Sequence, residues 1–338
     1  PAINVPKGIV KALISLKAGN AIIFSPHPKA VNCIRETVQI LREAAIKAGC
    51  PEDAISTITN VSLPGTDELM KHKDVSLILA TGGSAMVKAA YSSGTPAIGV
   101  GPGNGPAFIE RSADIPTAVR RIINSKTFDN GTICASEQSV VVEECIKDKV
   151  MEEFARQGAY FLPKTASQKL EKLILRANGT MNPQIVGKTA KQIAEMAYII
   201  VPENTKVLIA EETRVGKNVP YSREKLAPIL AFYTEKNWED ACERCIEILN
   251  NEGAGHTMSI HSENLEVIKQ FALKKPVSRL LVNTSASVGG IGATTNLQPA
   301  LTLGCGAVGG GSTSDNVGPL NLINIRRIAG GVVELEEI

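Results

Sequence analysis

The chain has 338 residues, 43% of them apolar and 21% charged, with 36 Lys plus Arg against 34 Asp plus Glu. Such a composition excludes extended disorder and predicts more than one packed core, while the near-balance of charge, with no basic run interleaved with aromatics, argues against a nucleic-acid partner. No stretch approaches the roughly 20 apolar residues of a membrane span, so no membrane partner is expected and a soluble, cytoplasmic protein is, free or within a larger metabolic assembly.

Taken in chain order, the first third alternates short β-branched runs with amphipathic segments. Residues 20–24 read as a strand. After Pro28, the apolar residues Val31, Ile34, Val38, Leu41, Ala45 and Ala48 recur at steps of three or four and mark one face of a helix, which Gly49 ends. Residues 54–59 form the next predicted strand, 67–72 a short helix, and 75–80 a buried strand running into Thr81-Gly82-Gly83-Ser84. A helix through Lys88 and Tyr91 and a strand over 97–100 complete a βαβαβαβ pattern, which right-handed crossovers wind into a doubly wound parallel sheet. A second α/β unit follows, with a strand over 139–142 and helices near 148–157, 166–175 and 239–249. Residues 303–314, dominated by glycine and small side chains, read as a loop where backbone must approach something closely. Seven cysteines without regular spacing predict free thiols in a reducing compartment. The chain opens at Pro1 inside what reads as a domain, so an N-terminally incomplete lobe is expected.

Chemistry concentrates in Thr127-Phe128-Asp129-Asn130-Gly131-Thr132-Ile133-Cys134-Ala135-Ser136-Glu137-Gln138-Ser139. A cysteine in a polar turn immediately before a β-branched strand has what a nucleophilic thiol needs: access to substrate and nearby backbone N–H groups to steady negative charge. This segment, with Ile22-Ile23-Phe24-Ser25-Pro26-His27-Pro28, Leu79-Ala80-Thr81-Gly82-Gly83, Gly99-Val100-Gly101-Pro102-Gly103-Asn104, Gly253-Ala254-Gly255-His256-Thr257 and Thr302-Leu303-Gly304-Cys305-Gly306, resembles the CoA-acylating branch of the aldehyde dehydrogenase superfamily along nearly the whole chain. The resemblance is to the aldehyde half of bifunctional aldehyde-alcohol dehydrogenases and to acylating aldehyde and semialdehyde dehydrogenases.

That resemblance implies an aldehyde dehydrogenase-like α/β fold of two doubly wound lobes. A Rossmann-type cofactor domain would span 1–103, a catalytic domain 104–318, and a C-terminal segment 319–338 would serve as an oligomerisation arm, with residues 332–338 as one strand of it in a homodimer or larger homo-oligomer. It implies a small aldehyde and coenzyme A as substrates, with NAD or NADP as hydride acceptor. Cys134 would carry the acyl group, and the Asn4 amide would help stabilise the oxyanion. Ser25, His27 and Pro28 would line the adenosine ribose; Thr81, Gly82, Gly83 and Ser84 would approach the pyrophosphate; Gly101 would also bind the cofactor; Glu224 would hold the nicotinamide ribose. One departure is informative. In hydrolytic relatives a glutamate before Leu-Gly-Gly activates the deacylating water; here Val100 stands in that position, and valine cannot act as a base.

Other signals carry less. Gly304-x-Gly306-x-x-Gly309 matches a dinucleotide fingerprint but leaves no room for the following strand and acid. Cys242-x-x-Cys245 lacks a second ligand pair, so no metal site is expected and both cysteines read as half-buried helix positions. His256 reads as a structural hydrogen-bonder with a lesser claim to be a base for the CoA thiol, and Arg279 as either a partner for an anionic substrate tail or a bridging arginine. Competing readings are a hydrolytic aldehyde dehydrogenase, an acyl-phosphate reductase and a non-catalytic nucleotide-binding module.

Overall fold

In a computed structural model, residues 4–333 are described. The first third runs α1 (Asn4–Lys17), β1 (Ile22–Phe24), α2 (Val31–Lys47), β2 (Ile55–Thr57), α3 (Leu63–Lys71), β3 (Ile78–Thr81), α4 (Ser84–Tyr91) and β4 (Ala97–Val100). The remainder runs β5 (Pro106–Ile109), α5 (Ile115–Thr127), β6 (Ser139–Glu143), α6 (Lys147–Arg156), β7 (Ala159–Phe161), α7 (Lys164–Ile174), α8 (Ala190–Met196), β8 (Val207–Glu211), β9 (Ile229–Glu235), α9 (Trp238–Asn251), β10 (Gly255–His261), α10 (Leu265–Lys274), β11 (Val277–Val282) and α11 (Ala286–Gly290).

The larger sheet has seven strands in the order β11-β10-β5-β6-β9-β8-β7, and every pair is parallel. Parallel strands need crossovers, and helices cover both faces. On one face Phe108, Val141, Leu208, Ala231 and Ile260 pack against α7, α8, α9 and α10; on the other Ala107, Val140, Val142, Ile209 and Leu230 pack against α5 and α6. Alternate residues of each strand thus serve opposite cores, which is why these strands are apolar throughout rather than alternating. Local signals set the helix ends: Asn237 accepts the Asp240 N–H at 2.7 Å to cap α9, whose first turn carries Glu239 and Asp240.

The four strands expected to form one sheet in the first third are all present, but they pair as two parallel ladders, β1–β2 and β3–β4. Each strand has only three or four residues, leaving little backbone for a continuous ladder. Helix α1, unassigned from the sequence because Pro6 and Gly8 interrupt its opening turns, packs Ala12 with Ile34 and Val38 of α2 and Ile14 with Ile98 of β4. The chain returns to this lobe near its end, where Leu322 joins Ile14 and Ile98 and its carbonyl accepts the Asn20 side-chain amide at 2.7 Å. Val332 and Val333 are not in a strand, and the rest of the strand expected over 332–338 lies outside the described residues.

Candidate active site

The first four strands and the seven-stranded sheet contribute to the site from opposite ends. Ser25 follows the carboxyl end of β1, Thr81-Gly82-Gly83-Ser84 that of β3, and Gly101 that of β4. By contrast Gly103 precedes β5, Cys134 to Gln138 precede β6, Glu224 and Lys225 precede β9, and His256 and Arg279 stand near the starts of β10 and β11. Because the sheet is parallel, those segments all enter it along one edge, whatever their distance in sequence.

The turn that carries Cys134 begins with three residues in the left-handed region: Asp129 (φ 45), Asn130 (φ 50) and Gly131 (φ 75). Asparagine, aspartate and glycine tolerate that conformation best, which explains the local sequence. The Asn130 amide donates to the Gly187 carbonyl at 3.0 Å, fixing the turn to the loop before α8. Among residues 131–143, Cys134 alone is not buried. Its neighbours Ile133 and Ala135 point into a small apolar cluster with Ala300 and Leu303. The packing that buries the flanks leaves Cys134 itself partly exposed.

Gly103 lies directly against this turn: a Cβ there would sit 1.9 Å from the Cys134 carbonyl oxygen. Its N–H donates to Glu224 Oε1 at 2.8 Å. Burial, followed by the proximity of Cys134, pushes the Glu224 carboxyl up to about 8. Beneath lies a buried polar cluster. Gln138 Oε1 accepts both the Lys126 ammonium and the Lys225 N–H, each at 3.1 Å, while the Lys225 ammonium donates to the Tyr221 and Arg223 carbonyls at 2.7 Å. Burial brings Lys126 down to about 7 against the raising effect of Glu137 and Glu224, and pushes Glu137 up to about 7. Sequence reading missed Gly103, Lys126 and Gln138 as site members; the one available signal was the glycine pair around Pro102.

A cleft of about 610 Å³ adjoins the turn, lined by Ser84, Gly101, Lys217, Arg223, Gly253 and Cys305 among others. A Cβ on Gly83 or Gly101 would meet nothing within 4 Å, so open space faces both backbones. Ser84 is the first residue of α4, whose N-cap Gly83 offers no side-chain cap, which leaves first-turn N–H groups available to an anion. These features fit a dinucleotide phosphate. Thr81 Oγ1 is already engaged, accepting from the Lys11 ammonium at 2.8 Å, and burial lowers that lysine to about 8. Ser25 and Thr66 share a hydrogen bond of 2.8 Å, and His27 Nδ1 accepts the Lys29 N–H at 3.1 Å to cap a short turn opened by Pro28. None of these three lines the cleft. Asn4 is the first residue of α1, and Lys7, one turn on, lies near enough to His256 for its charge to act there.

His256 is fully buried in β10 and held down to about 3 by burial and then by Arg279, so it is neutral. Arg279 is 4% exposed and spends its donors on protein: Thr257 Oγ1 at 3.1 Å, the Gly304, Ser314 and His256 carbonyls at 2.5, 3.1 and 3.3 Å, and Asn316 Oδ1 at 3.3 Å. It bridges β11 to the glycine-rich segment, and the anionic-tail role fails because the guanidinium is already taken. In that segment a Cβ on Gly304 would fall 2.3 Å from the Thr313 carbonyl oxygen and one on Gly309 2.5 Å from the Cys305 Cβ, so the expected close backbone approach is real. Cys242 and Cys245 are fully rather than half buried, because both face the core side of α9. Among the described residues no group of three or more His, Cys, Asp or Glu is placed to hold a metal ion, and no helix is long and apolar enough to cross a membrane.

Comparison with known proteins is consistent across sequence and structure. The profile of the aldehyde dehydrogenase family matches residues 4–296. The bifunctional aldehyde-alcohol dehydrogenase of Escherichia coli K12 is 50% identical over 326 residues, which cover 95% of this chain and 36% of that protein, so the chain spans little more than a third of this relative. A probable aldehyde dehydrogenase from Listeria monocytogenes superposes with a TM-score of 0.97 at 68% identity, covering 98% of this chain and 74% of that one. An acetylating aldehyde dehydrogenase from Geobacillus thermoglucosidasius gives 0.96 at 54% identity, covering 98% and 73%. A Rhodopseudomonas palustris propionaldehyde dehydrogenase, solved with bound CoA and an acylated cysteine, gives 0.84 at 30% identity, covering 91% and 69%.

Proposed function

The chain belongs to the aldehyde dehydrogenase family, and we propose that its activity is the reversible, CoA-acylating oxidation of a small aldehyde: aldehyde, CoA and NAD(P)+ give acyl-CoA, NAD(P)H and a proton through a thioester on Cys134. The observation that carries this reading is the half-exposed Cys134 at the centre of an otherwise buried segment. In the proposed sequence the Cys134 thiolate adds to the aldehyde carbon to give a hemithioacetal. Loss of hydride leaves the thioester, and the sulfur of CoA attacks that carbonyl and releases Cys134. When bound, NAD or NADP supplies the hydride acceptor. Ser84, Gly83 and Gly101 would face its phosphates, Ser25, His27 and Pro28 its adenosine ribose, and Glu224 its nicotinamide ribose. The Asn4 amide and the Cys134 N–H would share the developing oxyanion.

Deacylation by a thiol rather than water is supported by Val100, the buried last residue of β4, which supplies no carboxylate where hydrolytic relatives have one. The acetylating relative from Geobacillus thermoglucosidasius and the Rhodopseudomonas palustris relative with bound CoA and an acylated cysteine support the same class. We further infer a homodimer or larger homo-oligomer, in the cytoplasm or within a larger metabolic assembly. The test is Cys134→Ala, assayed with aldehyde, CoA and NAD(P)+: turnover should disappear while circular dichroism and melting temperature stay those of the parent. Turnover retained by the variant would refute the assignment. NAD(P)H formation that proceeds equally well without CoA would instead mark a hydrolytic enzyme.

A further inference from the structure

His256 and Thr257 are adjacent at the start of β10, and both are buried. Thr257 Oγ1 lies 3.0 Å from His256 Nδ1. It also takes the Nε–H of Arg279, its partner in the β10–β11 register, at 3.1 Å. Arginine can only donate, so the threonine oxygen is the acceptor in that bond. The threonine hydrogen must then go elsewhere. Were Nδ1 protonated, the oxygen would accept twice and its own hydrogen would be left buried without an acceptor. Thr257 therefore donates to Nδ1, and the ring proton resides on Nε2.

Nε2 is buried and has no hydrogen-bond partner among the described residues. The ring carbon Cε1, bonded to it, lies 3.4 Å from the point a Cβ on Gly103 would occupy, and that same point is 1.9 Å from the Cys134 carbonyl oxygen. An unspent donor thus sits beside the nucleophile's turn. Arg279 is itself tied to Gly304, Ser314 and Asn316.

We propose that Arg279 and Thr257 are positioning residues that lock His256 in its Nε2–H form, so that the ring offers the acyl group on Cys134 a hydrogen-bond donor and not a proton acceptor. The inference rests on the reading of Cys134 as the acyl carrier. In deacylation the CoA sulfur bonds to the thioester carbon, the carbonyl electrons move onto oxygen, and that oxygen takes the Nε2–H bond. Collapse then breaks the carbon–sulfur bond to Cys134. The thiol proton of CoA leaves to solvent before attack, and His256 neither gains nor loses a proton.

The test combines a spectroscopic and a kinetic measurement on the full chain. Long-range nitrogen–proton correlation of 15N-histidine-labelled protein, with the His256 signal assigned by its absence in His256→Asn, reads the tautomer directly and needs no activity. The parent should show Nε2–H; Thr257→Val should lose that preference, and Thr257→Ser should restore it. In rapid mixing, Thr257→Val should keep the first-turnover burst of NAD(P)H and lose roughly tenfold or more in the CoA-dependent steady-state rate, a step that Thr257→Ser recovers. An Nδ1–H tautomer in the parent, or a Thr257→Val enzyme with the parental steady-state rate, overturns the proposal. Failure of the Cys134 reading would appear separately, as turnover in Cys134→Ala with the tautomer unchanged.

Discussion

Gly103→Ala puts one methyl group where the structure has the least room beside Cys134, the proposed nucleophile. The added Cβ would fall 1.9 Å from the Cys134 carbonyl oxygen and 2.8 Å from its carbonyl carbon, both backbone atoms that no rotamer change can remove. Opening the first contact to the roughly 3.3 Å at which carbon meets oxygen comfortably requires a separation of about 1.4 Å. The Gly103 side of the gap is held by its 2.8 Å hydrogen bond to Glu224, and the other side is the turn that carries Cys134, so one or both must move. Overpacking of this kind costs about 1–3 kcal/mol of stability. A displacement of about 1 Å in reacting geometry costs about 100-fold in rate, equivalent to about 2.7 kcal/mol. Gly101→Ala is the matched control, since its Cβ meets nothing within 4 Å but protrudes into the cleft. NAD(P)H formation and thermal unfolding should separate the pair. Gly103→Ala should lose about 100-fold in kcat with a lowered melting temperature. Gly101→Ala should melt as the parent does and raise KM for NAD(P)+. A Gly103→Ala enzyme as active and stable as the parent would refute the argument that this contact sets the position of Cys134.

Two further substitutions probe the surroundings. Glu137 is buried and raised to about 7 chiefly by that burial, so between its ordinary value near 4.5 and about 7 the folded protein keeps a proton that the unfolded chain releases. Its presence therefore lowers stability progressively as pH rises through that window, by up to about 3 kcal/mol. Glu137→Gln should accordingly gain melting temperature relative to the parent from pH 5 to pH 8, and a pH-independent difference would count against the assignment. The Tyr91 hydroxyl accepts the N–H groups of Gly99 at 2.8 Å and Ser312 at 3.0 Å, tying β4 to the glycine-rich segment. Tyr91→Phe leaves both donors unpaired and should destabilise by about 1–3 kcal/mol in urea titration, whereas an unchanged midpoint would show that water replaces the hydroxyl.

Much of the architecture was legible because its causes are local. The strand over 97–100 coincides with β4, and the helical periodicity after Pro28 is α2, since a three-to-four spacing of Ile34, Val38 and Leu41 has few other solutions. The pairing of the first four strands into two ladders was not legible, because register depends on contacts between segments and not on the pattern within one. Helix α1 escaped notice for a different reason: Pro6 and Gly8 weaken its propensity, and tertiary burial of Ala12 and Ile14 compensates.

The candidate site divides along the same line, between what one segment encodes and what the sheet assembles. Asp129, Asn130 and Gly131 announce a left-handed turn before a buried strand, so the place of Cys134 could be read from a dozen consecutive residues. Gly103 meets Glu224 across 121 positions, and Arg279 meets Thr257 across 22 and Gly304 across 25. No spacing rule connects those pairs. What connects them is that β5, β6, β9, β10 and β11 are parallel members of one sheet, so the residues preceding or opening each strand share an edge. Of the first four strands, β3 and β4 present their opposite, carboxyl ends to the cleft, with Ser84 at a helix start and Gly101 facing open space. A nucleotide held from that side and an acyl group held from the other would meet at Gly103, the middle residue of the link 101–105 between β4 and β5. One residue of chain there joins both halves of the proposed reaction, which is why a methyl group at that point should be felt by the chemistry as well as by the fold.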